Sequence, residues 1–150
     1  MKRMMILIAL FASMIVVLQI SNVYAPSITG GWITGGGTIG SGSELASFGG
    51  LATKMRSGAI EGHWVHVESG GQNSLRGDVR YLYFHTSGMA EFGGTGTFNG
   101  VSGYTFGVTF YEGFYTIEIR DPANIVVFEA EGSLSSGNIR VHAPNNGHPY

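Results

Sequence analysis

The sequence predicts an all-β domain, built as an antiparallel β-barrel or sandwich of about eight or nine strands. From Tyr104 to Phe110, large apolar residues alternate with threonine and glycine, which is the period of a half-buried strand. Just before this run, Asn99-Gly100 is a strong signal for a tight hairpin turn. After residue 25 no window has helical periodicity, and turn residues recur about every 8 to 12 residues. Short antiparallel strands are therefore expected throughout.

The first 25 residues of the 150-residue chain have the pattern of a secretory signal. Two basic residues precede an apolar run over 4–18, and Val23-Tyr24-Ala25 has the small-residue ending that a signal peptidase accepts. We therefore expect a helical signal peptide over 1–25. The alternative is an uncleaved anchor over 4–23, which is about long enough to cross a bilayer.

Composition divides the remaining chain into three parts. Residues 26–42 form a glycine-rich leader that contains a first strand near 31–34, residues 43–142 form the β domain, and residues 143–150 form a flexible tail rich in proline and asparagine. All 25 glycines of the chain lie after residue 25. Because aromatic and β-branched residues are also frequent there, we interpret the glycines as turns, bulges and close strand contacts, and not as disorder.

Turn residues separate the strands expected within the β domain. The run 79–84 is apolar on both faces, which predicts a central strand that is covered on each side. The glycines within 89–98 predict a bulged and sharply bent strand. The expected strands cover residues 46–53, 59–67, 75–85, 89–98, 104–110, 114–120, 125–130 and 137–142.

One glycine-rich stretch, 93–110, is predicted to be a structural corner at which the chain reverses. Its glycines would let one strand bend and let the next turn its aromatic residues into the core. The residues assigned to this structural turn are Gly93, Gly94, Gly96, Asn99, Gly100 and Gly103.

Charge and cysteine content exclude several classes of function. After residue 25 there are six Lys and Arg against ten Asp and Glu, a formal net charge of −4. The basic residues are scattered, so no stripe exists that could neutralise a nucleic-acid backbone. The chain has no cysteine, which rules out disulfides, thiolate zinc sites and a cysteine nucleophile. Neither a nucleic-acid partner nor a cofactor is expected.

The candidate ligand-binding residues are polar and aromatic side chains of two neighbouring strands. His63 and His66 are three residues apart on one strand, so they point to opposite faces and cannot chelate a metal together. Glu61 shares a face with His63, as Tyr83 does with His85, and an acid–base or metal constellation would require the two strands to bring them together. The alternative is a solvated sheet face. The candidate set is Glu61, His63, Trp64, Tyr83 and His85.

Two further groups of residues, one acidic and one aromatic, are candidates for catalysis or sugar binding. No catalytic residue and no metal ligand is assigned, because scattered acids do not define the carboxylate pair of a glycoside hydrolase. Several aromatics could stack on sugars or line a barrel mouth, and core or rim packing is the alternative. The acids are Asp78, Glu91, Glu112 and Glu118, and the aromatics are Trp32, Trp64, Tyr81, Tyr83 and Tyr111.

Several short motifs give the chain a family resemblance. It resembles the secreted post-COAP domain, which follows choice-of-anchor P modules, over about residues 31–142. The resemblance implies an exported bacterial or archaeal β domain, often on cell-surface proteins, with no established activity. The motifs are Gly31-Trp32-Ile33, Ala46-Ser47-Phe48-Gly49, Gly94-Thr95-Gly96-Thr97-Phe98-Asn99-Gly100, Gly103-Tyr104-Thr105-Phe106, Ile117-Glu118-Ile119-Arg120-Asp121 and Gly137-Asn138-Ile139-Arg140-Val141-His142.

A shorter pattern, Gly-Gly-Thr-Gly-x-Phe-x-Gly-x-x-Gly-Tyr over 93–104, is similar to one in dirigent and allene oxide cyclase barrels. It implies closure of the sheet into a barrel.

These observations lead to one main functional hypothesis and two alternatives. The main hypothesis is a secreted or cell-surface, non-enzymatic β domain that acts in interaction, adhesion or extracellular assembly with a protein or glycan partner. Self-association is one version, in which the segment 26–42 adds as a strand to a neighbouring subunit. The first alternative is a barrel that binds a small molecule or steers its reaction. The second is a hydrolase or metal enzyme, in which Glu61, His63 and His85 would converge.

Overall fold

The structure is a computed structural model that describes residues 30–85 and 88–144. These residues form a closed barrel of eight antiparallel strands, in which each strand pairs with the next in sequence and the last pairs with the first. The all-β prediction is confirmed, and the sheet is a barrel and not a sandwich. The strands are β1 Trp32–Ile39, β2 Ala46–Lys54, β3 Ile60–Glu68, β4 Ser74–Phe84, β5 Ala90–Phe98, β6 Val101–Tyr111, β7 Phe114–Arg120 and β8 Val126–His142.

Parts of the predicted domain division lie outside the described residues. The predicted signal helix over 1–25 lies outside the described residues. Of the predicted tail over 143–150, only the first two residues are described. In the ranges 30–85 and 88–144, no helix has the length and apolar character that a bilayer crossing requires.

A single long strand closes the barrel. The sequence predicts two separate strands at the end of the chain, over 125–130 and 137–142, but β8 runs without interruption through both. Its first half pairs with β7 and its second half pairs with β1. β8 is therefore one continuous strand that changes partner along its length. The interruptions in its apolar pattern are the reason that the sequence predicts two.

The glycine-rich leader supplies a complete strand of the barrel. The strand predicted near 31–34 extends to Ile39, and β1 pairs with β2 on one side and with β8 on the other. At the end of this seam the rings of Trp32 and His142 stack with centroids 3.8 Å apart. Since β1 is already paired on both sides, it is not free to add to the sheet of a neighbouring subunit.

Large side chains fill the middle of the barrel, as expected when eight strands enclose a space just wide enough for side chains. Trp64, Phe92 and Tyr115 are each fully buried. Glycines on nearby strands leave room for the rings: a Cβ on Gly50 of β2 would lie 2.8 Å from Cε3 of Trp64 on the adjacent β3, and a Cβ on Gly77 would overlap the ring of Phe106. The glycine content therefore serves close packing inside the barrel.

The prediction that β4 is covered on both faces is wrong for its outer face. The barrel wall is a single layer, so only the inward side chains, such as Val79 and Leu82, are buried. Tyr81 and Tyr83 point outward, and Tyr83 is 57% exposed. A register shift between Val79 and Tyr81 sets their positions against β5.

The predicted corner at 93–110 is confirmed at its centre and corrected on either side. Asn99 and Gly100 form the two-residue turn between β5 and β6, with φ of 49° and 81°, as a primed hairpin turn requires. Gly93, Gly94 and Gly96 are not turn residues: they lie within β5. Gly103 lies within β6, with φ of 97°, where the register with β5 shifts. It is the extra residue of a β-bulge.

Candidate functional site

The predicted candidate residues do not form one site. Glu61 and His63 lie exposed on the outer face of β3, whereas Trp64 is buried inside the barrel. His63 is opposite Asp78 of β4, and His85 follows seven residues later, which corresponds to roughly 20 Å of strand. Glu61, His63 and His85 therefore do not converge. Within 30–85 and 88–144, no group of three or more His, Cys, Asp or Glu side chains could hold a metal ion.

The prediction that His63 and His66 point to opposite faces is confirmed, because His63 is exposed and His66 is buried in the barrel interior.

The structure instead brings together two rows of side chains on the outer wall, from β4 to β8. All of them except Gly93 and Tyr83 line a groove with a volume of about 680 Å³, which we call the outer groove. Strand register aligns the first row across five strands: Tyr81, Gly93, Gly107, Glu118 and Glu129. It aligns the second row next to the first: Tyr83, Glu91, Thr109, Thr116 and Glu131.

Two glycines explain why this part of the wall is concave. Gly93 and Gly107 are neighbours on β5 and β6, and the side chain of Tyr81 lies across both. A Cβ on Gly93 would lie 2.7 Å from Oη of Tyr81, and one on Gly107 would lie 3.1 Å from the same atom. The tyrosine ring thus covers the backbone that the glycines leave bare and forms one wall of the outer groove.

The outer groove is predominantly negative. It contains four carboxylates: Glu91, Glu118, Glu129 and Glu131. Two of them contact basic groups at the margin, since Arg120 pairs with Glu118 and His85 Nε2 lies 3.5 Å from Glu91. Of the predicted candidates, Tyr83 and His85 therefore lie beside the outer groove, in contact with Tyr81 and Glu91.

The tyrosines add aromatic surface with protonated hydroxyls. The rings of Tyr81 and Tyr83 have centroids 5.7 Å apart. Partial burial raises the pKa of Tyr81, and the negative charge of Glu91 raises it further. At neutral pH the hydroxyl of Tyr81 therefore remains a hydrogen-bond donor beside the carboxylates.

A second polar feature lies inside the barrel, where three side chains form a chain of hydrogen bonds that we call the interior chain. Trp64 Nε1 donates to Tyr115 Oη over 3.2 Å, and Tyr115 Oη lies 3.3 Å from Nδ1 of His66. The ring of Tyr115 stacks on Phe48 with centroids 3.9 Å apart. Tyr115 thus connects β7 to β3 across the barrel.

The hydrogen bonds assign the protons of the interior chain. Tyr115 Oη accepts from Trp64, and its own proton has an acceptor only if it is donated to His66 Nδ1, so the assignment that leaves the fewest buried groups unpaired makes Nδ1 the acceptor. Burial lowers the pKa of His66 to about 4, and the negative charge of Glu68 opposes this effect. Burial raises the pKa of Tyr115 as well. Both side chains are therefore neutral at physiological pH, and the hydrogen-bond assignment places the proton of His66 on Nε2.

Sequence reasoning identified some members of these groups but not their arrangement. Alternation along 114–120 already predicts that Tyr115 points to the core, and Tyr81 is one of the aromatics that could stack on sugars or line a barrel mouth. The interior chain was missed because the contact of Tyr115 with His66 joins residues 49 positions apart. Glu129 and Glu131 alternate with apolar residues, which indicates that they lie on a solvated strand face. The alternation does not indicate which side chains of other strands lie next to them.

No family model matches the chain, and neither a curated protein nor a solved structure matches it. The resemblance to the post-COAP domain stays a prediction that depends on the short motifs.

The interior chain makes a testable contribution to stability. We expect Tyr115→Phe to lower the free energy of unfolding by about 2 kcal/mol, because it leaves the buried groups of Trp64 and His66 without their partner. Urea unfolding followed by tryptophan fluorescence measures this change. Tyr83→Phe is the matched control: its hydroxyl is on an exposed side chain, so the loss should stay below about 0.5 kcal/mol. Equal effects of the two substitutions would contradict the assignment.

Proposed function

We propose that this protein is a non-enzymatic interaction domain, exported from the cell, whose outer groove binds a basic segment of a partner protein. The observation that carries the proposal is the outer groove itself, which combines four carboxylates with Tyr81, and the exposed ring of Tyr83 lies next to that of Tyr81. Lys and Arg side chains fit such a surface, because they pair with carboxylates and also stack on aromatic rings.

The remaining observations support binding more than catalysis. The side chains considered for acid–base chemistry, Glu61, His63 and His85, lie on separate parts of the wall. The outer groove is open to solvent, and its carboxylates act as acceptors on a rigid sheet. Export is supported by the sequence pattern of residues 1–25.

Fluorescence anisotropy of labelled peptides tests the proposal. We expect the purified protein to bind an alternating Arg-Ser octapeptide and not a Gly-Ser octapeptide, with weaker binding at higher salt. The double variant Glu129→Gln, Glu131→Gln should weaken binding roughly five- to thirtyfold, because two carboxylates of the outer groove lose their charge.

A matched control separates the outer groove from overall charge. The double variant Glu44→Gln, Glu61→Gln removes the same charge from exposed positions elsewhere, and it should bind the Arg-Ser peptide as the unmodified protein does. Equal weakening in both double variants would show that net charge alone causes binding. Binding of a neutral oligosaccharide such as cellohexaose, without binding of the peptide, would replace the basic partner with a glycan.

A further inference from the structure

The interior chain ends in a hydrogen-bond donor without a partner among the described residues. His66 is 1% exposed, its Nδ1 contacts Tyr115, and its Nε2 is buried without a hydrogen bond. A buried donor that is left unpaired lowers stability by more than a typical hydrogen bond adds. Such atoms are rare in folded proteins, and they call for a specific explanation.

Aromatic rings surround His66 at one end of the barrel. His66 lies near the end of β3, Phe98 is the last residue of β5, and Tyr104 and Phe128 lie near the starts of β6 and β8. The ring centroid of Phe128 is 5.5 Å from that of His66 and 5.7 Å from that of Phe98. Antiparallel order places these positions at the same end, and we call the three rings of Phe98, Tyr104 and Phe128 the end cap.

The end cap is closed by side chains that can move. Phe128 and Tyr104 are half-buried, whereas His66 beneath them is almost fully buried. Rings reorient about their side-chain bonds without any change in strand pairing. Phe128 is half-buried and its ring lies 5.5 Å from that of His66, so it is the side chain whose rotation would uncover His66 while the strands stay paired.

We infer that the end cap is the mouth of a binding site for a small, neutral, ring-sized molecule with an acceptor oxygen, which His66 Nε2–H would hold by a hydrogen bond. Phe98 and Phe128 would contact its apolar part. This site is independent of the outer groove, because one lies inside the wall and the other outside it.

The surroundings of His66 select for a neutral acceptor. His66 is uncharged at neutral pH, and the charged group that influences it most is the carboxylate of Glu68. A buried anion would face this negative charge without a compensating cation, and that is strongly unfavourable. A ketone, ether or ester oxygen accepts from Nε2–H without introducing a charge.

Two probes of nearly the same shape test the inference: acetophenone, which has a carbonyl oxygen, and α-methylstyrene, which has a CH₂ group in its place. Each is titrated into the purified protein, and the histidine ring nitrogens are observed by ¹⁵N NMR. We expect acetophenone to bind at least about tenfold more tightly, since it satisfies the unpaired donor. The Nε2 resonance of His66 should shift, and that of the exposed His63 should not.

Two variants complete the test. His66→Phe keeps a ring but removes the donor, so both probes should bind with equal affinity. Phe128→Ala widens the mouth, so both should bind more tightly and the preference for acetophenone should persist. Absence of binding to both the unmodified protein and Phe128→Ala would overturn the inference and leave a water molecule as the partner of Nε2. Equal affinity for the unmodified protein would also overturn it, as would a preference that survives in His66→Phe. If His66→Phe does not fold, the His66 shift in the unmodified protein decides.

Discussion

The free energy of unfolding is expected to fall by about 3 kcal/mol between pH 7 and pH 4 because of His66 alone. Its pKa is about 4 in the folded protein, against 6.5 for an unperturbed histidine. Each tenfold difference in proton affinity corresponds to about 1.4 kcal/mol. Between these two values the unfolded chain takes up a proton that the folded chain does not, so the folded state loses stability as the pH falls.

The pH range over which the folded protein loses stability follows from the two pKa values of His66. Stability from neutral His66 is complete above about pH 6.5, declines as the pH falls, and reaches its full loss below about pH 4. Urea unfolding at a series of pH values measures it. His66 faces Tyr115 and Glu68, and Tyr115 does not titrate in this range.

Protonation of carboxylates also contributes to acid denaturation of proteins in general, so the comparison with variants isolates His66. His66→Phe should remove most of the decline between pH 6.5 and 4, whatever its stability at pH 7. His63→Gln, which changes an exposed histidine of the same strand, should leave the profile unchanged. Parallel profiles for the unmodified protein and His66→Phe would rule out this origin of the acid sensitivity.

Gly96→Val is expected to prevent formation of a stable barrel, with a loss of at least about 3 kcal/mol. A Cβ on Gly96 would lie 2.5 Å from the carbonyl oxygen of Arg76 and 2.8 Å from Cα of Gly77, both backbone atoms of the neighbouring β4. Backbone in a closed barrel cannot shift without breaking strand pairing. The yield of folded protein and its melting temperature measure the effect.

Gly107 provides the control for this prediction. A Cβ there would approach only Oη of Tyr81 at 3.1 Å, the far end of a side chain that can move. Gly107→Ala should therefore change stability by less than about 1 kcal/mol, whereas Gly96→Ala should already destabilise the fold. Gly100→Val acts through a different cause, since its φ of 81° is rarely adopted by residues with a branched side chain. An unchanged melting temperature in Gly96→Val would contradict the close approach of β4 and β5.

Strand positions could be predicted well because they depend on local pattern. The bounds of β7 agree with the alternation over 114–120, and Asn99-Gly100 forms the predicted turn. Prediction failed where the local pattern is ambiguous. Glycines interrupt the apolar pattern of 125–142, which is typical of a turn. β8 nevertheless continues through Gly132 and Gly137, because β7 pairs with its first half and β1 with its second half.

The candidate site was less predictable because it depends on which strands become neighbours. A site made of Tyr83, His85, Glu61 and His63 would require two strands to bring these side chains together. The register instead places Tyr83 beside Glu91 and His63 beside Asp78. A shift of a few residues between strands would produce a different set of neighbours, and nothing in a single strand specifies that shift.

The sequence by itself determines an all-β chain, the inward alternation of its core residues, the hairpin turn at Asn99-Gly100 and the opposite orientation of His63 and His66, because each depends only on neighbouring residues and backbone geometry. Tertiary structure decides that the sheet closes through β8, that the carboxylates of three strands meet Tyr81 in the outer groove, and that Tyr115 reaches His66 across the interior. These features depend on pairing between residues that are distant in the chain, which closure of the barrel imposes on all eight strands together.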